Sequence, residues 1–275
     1  MSSQLAPRLR ELLVCPKCGG DEPLADPLIC AACNSAFALQ NGVPVFLPQP
    51  VEVALDHLSN PIGSEFEAIL RQGKDFVLHL GAGATVTKYP NCIEFEHKIF
   101  CHTDVVGDAH ELPFRQDVFD RVYAFNLFEH LRDPKTAADE ILRVLKPGGV
   151  ISIHTAFLQP LHEAPHHFYN ATEYGVREWF SSFEIQSCSV SGNFAPGLML
   201  GFVVSNVLDA ARRGGATAEE QATISRTTLG QWSHFWAHPN ELPPGFQTLH
   251  NLPQSEQKRV AAGFELIAHK PVAQC

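Results

Sequence analysis

The sequence lacks any apolar run long enough to cross a bilayer. Its most apolar later stretch, 198–208, is short and interrupted, and residues 1–13 hold no long apolar segment. The expectation is a chain that is neither secreted nor membrane-anchored, and hence cytoplasmic. Positive charge is also scarce. With 20 Lys and Arg against 30 Asp and Glu, the formal net charge of −10 repels a phosphate backbone, and no local basic run offsets it. Nucleic acid is therefore not an expected partner. Repeats, low-complexity tracts and sustained heptads are absent, which excludes solenoid and coiled-coil designs. What remains, 275 residues of which 45% are hydrophobic, suffices for one ordinary domain plus a small module.

The eight cysteines do not read as a disulfide framework. Four are scattered, at Cys92, Cys101, Cys188 and Cys275, whereas Cys15-Pro16-Lys17-Cys18 and Cys30-Ala31-Ala32-Cys33 form two C-x2-C turns eleven residues apart. Each turn can aim two thiolates at one tetrahedral ion. Gly19-Gly20 gives the first turn the freedom to bend back, and a piece of about 50 residues buries too little surface to stand without a staple. Cys15, Cys18, Cys30 and Cys33 are thus candidate ligands of a structural zinc in a module spanning 1–50. Four protein ligands leave no open position, so the metal has no expected catalytic part. The segments LLVCPKCGG, LICAACNSAFAL and NGVPVFL, within residues 10–48, resemble the small zinc-ribbon activators of methyltransferases. That resemblance implies a structural ribbon with a hydrophobic surface that docks on a catalytic partner.

After a plausible linker at 48–50, residues 51–72 read as one or two helical segments, with Ser59-Asn60-Pro61 offering a cap and a first-turn proline. Val77-Leu78-His79-Leu80 is a short apolar strand that runs into Gly81-Ala82-Gly83-Ala84, where a backbone can pass close to a bound cofactor. Cys92 to Glu96 alternates as a second strand ending in Glu96, the residue type that accepts both hydrogen bonds of a ribose diol. A third strand leads to Asp108, placed to accept an adenine amino proton, beside Ala109. A fourth, 119–126, ends at Asn126 and opens into Leu127, Phe128, Glu129 and His130. Asp133-Pro134 caps a helix over 135–145 whose Ala138, Ile141, Leu142 and Leu145 share a face, and Lys146-Pro147-Gly148-Gly149 ends it. A fifth strand follows at 150–154. Strand and helix in alternation predict an α/β fold with a mostly parallel sheet.

The ordered set GAGA, DAHELPF, FDRV, EHLRDP and LRVLKPGG resembles the small-molecule type of class I methyltransferase, over roughly residues 75–185. It implies a Rossmann-like sheet and S-adenosylmethionine held by His79, Gly81, Ala82, Gly83, Glu96, Asp108, Ala109 and Asn126, with Leu127, Glu129 and His130 at the methionine end. His79 stands where that family usually carries an acid, and Thr85 replaces the third small residue of the glycine motif. Only eight residues, 84–91, separate Gly83 from Cys92, which predicts a vestigial first crossover helix.

Residues 154–169 follow the fifth strand and are rich in histidine. His162-Glu163-Ala164-Pro165-His166 satisfies the H-E-x-x-H pattern, but Pro165 opposes the regular helix that a zinc protease needs. His154, His162, His166 and Tyr169 are candidate catalytic residues, a base that takes a proton from the acceptor being one role and a satisfied polar loop the other. A helix is expected over 172–180 and a late strand at Phe183-Glu184-Ile185. The remainder, 191–275, reads as a helical extension with a buried helix over 198–211. It either packs as a lid or lines an acceptor pocket with Trp232, Phe235 and Trp236. The domain at 51–190 is expected to methylate oxygen, nitrogen or carbon of a small molecule. The alternatives are a ribosomal RNA methyltransferase, or a non-catalytic scaffold with a degenerate cofactor site.

Overall fold

The computed structural model describes residues 7–48, 50–55, 59, 62–264 and 266. The chain forms two units, one of residues 1–157 with 168–189, the other of 158–167 with 190–275.

The first unit is organised by one seven-stranded sheet in the order β1-β2-β5-β4-β3-β6-β7. The strands are β1 (Ala38–Gln40), β2 (Val43–Val45), β3 (Val77–Leu80), β4 (Cys92–Glu96), β5 (Val105–Val106), β6 (Phe119–Phe125) and β7 (Leu145–His154). β1 and β2 pair antiparallel, and every other pair is parallel. The central strands β3 and β4 are buried at every residue, as expected of a parallel sheet covered on both faces. β7 starts at Leu145 rather than at Val150, because Lys146 to Gly149 continue the strand past an irregular register beside Phe119 and Arg121. Residues 183–185 form no strand. Phe183 and Ile185 pack on the core without joining a ladder.

One crossover is helical. α3 (Pro134–Val144) begins at Asp133, whose carboxylate accepts the Thr136 N–H, and connects β6 to β7. It buries Ala137, Ala138, Ile141 and Val144, whereas Leu142 points outward, away from the face that its spacing suggested. The connections β3–β4, β4–β5 and β5–β6 contain no helix. For the first of these, residues 81–91 reach about 36 Å when extended, ample to return along a four-residue strand of about 13 Å.

The faces left bare by those missing helices are covered by other parts of the chain. On one side α2 (Ser64–Gln72) lays Leu70 and Phe66 against Val77, Cys92 and Tyr123. The helix occupies only the end of the expected span: 51–55 and 59 are not helical, and Asn60 and Pro61 lie outside the described residues, as does Gln49 of the linker. On the opposite side Leu9 of α1 (Pro7–Leu12), Leu13, Leu24 and Leu28 join one core with Phe95, Phe114, Phe119 and Ile141. The cysteine-bearing module is therefore welded to the sheet. Its hairpin extends the sheet edge, Phe46 N–H donating to Val106 O at 2.8 Å, while Val14 N–H reaches Pro113 O at 3.0 Å and Arg115 N–H reaches Leu12 O at 3.0 Å. α4 (Glu173–Trp179), capped by Thr172, completes this unit.

The second unit is helical: α5 (Pro196–Arg213), α6 (Ala218–Arg226), α7 (Leu229–Ala237), α8 (Phe246–His250) and α9 (Gln254–Val260). Thr217 with Glu220, and Thr228 with Gln231, form reciprocal capping boxes that start α6 and α7. The expected buried helix over 198–211 is present but not buried. Ala210 and Ala211 are its interior residues, and Leu198, Leu200, Phe202 and Val204 are exposed. No helix among the described residues is long and apolar enough to cross a membrane.

Candidate cofactor and metal sites

Parallel strands that share one direction deliver their carboxyl ends to a common edge of the sheet, where doubly wound folds form a crevice. β3 delivers Gly81, Ala82 and Gly83 there, β4 Glu96, β5 Asp108 and Ala109, and β6 Asn126 to His130. Gly81 and Gly83 have φ of +64° and +65°, the left-handed region that glycine enters without strain. A Cβ on Gly81 would sit 3.1 Å from the Leu127 side chain, so Leu127 and the turn are in close contact.

Glu96 is tied to that turn. Its Oε1 accepts the Gly83 N–H at 2.7 Å, and its Oε2 accepts the His97 N–H at 2.9 Å and lies 3.0 Å from His97 Nδ1. Burial alone would raise the Glu96 pKa, but the His97 ring and the two N–H donors more than offset it and hold the carboxylate ionised. Asp108 accepts from His110 N–H at 2.9 Å and from His110 Nδ1, while His110 Nε2 accepts the Asp133 N–H at 3.2 Å. These two contacts fix the imidazole as the Nδ1–H tautomer and anchor Asp108 to the start of α3. Glu129 is fully buried with Oε2 accepting from Thr155 Oγ1 at 3.0 Å, and its main-chain O accepts the N–H groups of Phe168 and Tyr169. Asn126 takes φ +54°, its N–H donating to His154 O.

Two features escaped the sequence reading. The first is Ser59, whose Oγ accepts the Ala84 N–H at 2.8 Å while its own N–H donates to Ala84 O at 3.0 Å. With Phe95 O accepting from both Gly81 and Ala82, every N–H of the glycine turn has an internal partner. The second is a polar row beneath α2: Glu94 pairs in register with His79, His79 with Tyr123, and Tyr123 with Ser152. Glu94 is 2% exposed and His79 5%. Burial raises Glu94 to about 7 and lowers His79 to about 4, so each favours its uncharged form. Thr85 Oγ1 donates to Glu94 Oε2 at 2.8 Å and sits 3.0 Å from His102 Nδ1. Lys88, from the helix-free crossover, pairs with Asp104 and lies 3.7 Å from Glu94. The one legible signal for this row was the two-residue spacing of Glu94 and Glu96.

Of the histidine-rich candidates, His154 and Tyr169 belong to the first unit, His162 and His166 to the second. His154 stacks on Phe125 with ring centroids 4.4 Å apart and meets the Phe66 edge at 5.6 Å, and burial lowers its pKa. Tyr169 donates its hydroxyl to Arg132 O at 3.0 Å. Residues 162–166 form no helix. His162 Nδ1 lies 3.0 Å from Pro160 O, its ring 4.2 Å from that of His167, and His166 is exposed. In the second unit Phe235 packs on Phe246 at 4.9 Å and Trp236 is 89% exposed.

The four module cysteines converge, with no two Sγ atoms more than 4.8 Å apart. Cys15 to Cys33 and Cys18 to Cys30 are both 3.6 Å, close to the edge of about 3.8 Å of a tetrahedron with metal–sulfur bonds of about 2.3 Å. The two turns are built alike. Gly19 N–H returns to Cys15 O and Asn34 N–H to Cys30 O, and Gly19 and Asn34 both have positive φ. Ser35 Oγ lies 3.2 Å from Cys33 Sγ. All four thiols are free of disulfides and fit a single ion.

Residues 84–153 match the model of the methyltransferase domain family. The sheet order around β3 is that of the class I methyltransferase fold, so the chain carries a methyltransferase domain of this class, preceded by a four-cysteine module that fits a zinc ribbon. Among curated proteins none matches. Solved structures it is similar to include a protein of Bacillus halodurans described as a candidate methyltransferase, with 19% identity, 44% of this chain and 65% of that one covered, and a TM-score of 0.32. The YcgJ protein of Bacillus subtilis gives 17%, 56%, 84% and 0.34 in the same order. Phosphoethanolamine N-methyltransferase 2 of Haemonchus contortus, in complex with phosphomonomethylethanolamine and S-adenosylhomocysteine, gives 14%, 64%, 50% and 0.35. This chain thus spans less than two thirds of the first and the third of these proteins.

Proposed function

We propose that the chain is an S-adenosylmethionine-dependent methyltransferase acting on a small-molecule acceptor, with zinc held by Cys15, Cys18, Cys30 and Cys33 as a structural ion. The observation that carries this reading is the ionised, buried Glu96 joined to the Gly83 N–H at the shared carboxyl edge of β3 and β4. A carboxylate so placed can accept a ribose diol, and the glycine turn lets a ligand approach the backbone. Asp108, fixed by His110, is the acceptor for an adenine amino group. The cofactor supplies an electrophilic methyl group when bound. The protein contributes orientation, and a base where the acceptor must lose a proton.

His154 is the favoured base among the four candidates because it ends β7 at the carboxyl edge that also carries the glycine turn; burial lowers its pKa, so the imidazole there is neutral. The Tyr169 hydroxyl is already engaged as hydrogen-bond donor to Arg132 O. An overall charge of −10 favours a small acceptor over a nucleic acid.

A non-catalytic scaffold is the second reading, favoured by the glycine turn whose N–H groups are all satisfied within the chain. Calorimetric titration of the zinc-loaded protein with S-adenosylmethionine and S-adenosylhomocysteine separates the two. The enzyme reading expects binding that weakens at least about a hundredfold in the Glu96→Ala, Asp108→Ala variant, the loss expected for two hydrogen bonds to charged groups. A wild-type chain that binds neither ligand is the scaffold.

A further inference from the structure

At the amino ends of β3, β6 and β7, the edge opposite the glycine turn, the first unit holds a cleft of about 550 Å³. Arg8 of α1, Lys74, Arg115 and Lys146 line it from four separate segments of the chain, with Asp117 and Asp120 as its carboxylates. Two more cations than carboxylates therefore meet in one concavity of a strongly acidic protein.

The pairing of these groups sharpens the imbalance. Asp120 is committed internally, with Oδ2 accepting the Phe76 N–H at 2.8 Å and Oδ1 accepting from Lys146 at 2.8 Å. Arg8 Cζ sits over the Phe76 ring, 3.8 Å from its centroid, a contact that holds the guanidinium without neutralising it. Arg8, Lys74 and Arg115 have no acidic partner among the described residues, whereas most other arginines and lysines are ion-paired, among them Arg10, Arg71, Lys98, Arg121, Arg143 and Arg177. Gathering unpaired like charges costs energy unless an anion joins them, and a concave wall concentrates their field.

We propose that this cleft binds a small molecule carrying a diphosphate group, separately from the glycine-turn site. Guanidinium pairs match phosphate oxygens bidentately, and lysines add charge without directional demands. The volume lies within the range of small-molecule pockets and leaves room for a nucleoside-sized body beyond the anion.

The test uses the full zinc-loaded chain with inorganic pyrophosphate, ADP and a single-stranded RNA oligonucleotide as calorimetric probes. Wild type is expected to bind pyrophosphate or ADP with an affinity that falls as salt is raised. Lys74→Ala, Arg115→Ala should weaken that binding by at least about tenfold. Both side chains are exposed, so the variant's thermal melt should match wild type, which separates a lost site from a lost fold. Stronger binding of ADP than of pyrophosphate identifies a nucleotide rather than the anion alone. Silence of wild type toward both probes, undiminished binding by the variant, or binding of RNA alone overturns the proposal.

Discussion

Glu94→Gln and His79→Gln probe the buried polar row from its two sides. Glu94 titrates near 7 in the folded chain against an ordinary 4.5, so folding favours its protonated form. Its contribution to stability is whole below pH 4.5 and is lost as pH rises to about 7, a change of about 3 kcal/mol. His79 runs the other way. Lowered from 6.5 to about 4, it contributes fully above pH 6.5 and loses about 3 kcal/mol as pH falls toward 4. Between these limits the two slopes nearly cancel, and the row gives wild type a flat profile in mildly acid solution. Glu94→Gln leaves the His79 slope alone, so the variant should gain on wild type by about 3 kcal/mol as pH climbs from acid to neutral. His79→Gln should lose ground over the same interval. Urea unfolding followed by circular dichroism at closely spaced pH values reads both slopes, and a uniform packing penalty shifts the curves without tilting them. If both variants run parallel to wild type, the row is not held uncharged and the reasoning fails.

Further outcomes follow from the cysteine module and the glycine turn. Cys30→Ser should abolish bound zinc, read by elemental analysis, and lower the melting temperature, because the module core is continuous with that of the sheet. Gly83→Ala drives a Cβ into Ser59 Oγ at φ +65°, and should cost at least about 1–2 kcal/mol of stability. Adding Ser59→Gly should recover the steric part, seen as a partial return of the melting temperature, and leave the backbone strain together with the loss of the Ala84 N–H bond to Ser59 Oγ.

The central strands were legible in the sequence because β3 and β4 are short apolar runs bounded by turn residues, and the glycine turn and Glu96 fall where strand ends put them. Less was legible wherever a local signal met a distant partner. Pro147, Gly148 and Gly149 read as the end of a helix, yet Leu145 pairs with Phe119 and carries them into β7. Phe183 and Ile185 alternate like a strand but bury against the core without a ladder. α5 is apolar in composition, and composition does not say which residues are covered. Ser59 on the glycine turn joins positions 25 apart in the chain, and the basic cleft draws one cation from each of four segments. Neither leaves a local pattern to find.

The weld between the cysteine module and the sheet also bears on how the chain is made. Leu13 bridges Phe114 and Val14 bonds Pro113, so the module's partners follow it by about a hundred residues. At ribosomal rates of about 5–20 residues per second, the module waits on the order of 5–20 s for the strands it will cover. During that interval Leu9, Leu13, Leu24 and Leu28 have no sheet to lie on. An ion gripped by Cys15, Cys18, Cys30 and Cys33 as they emerge would keep the segment ordered, and metal supply at the ribosome would then set the yield of folded chain.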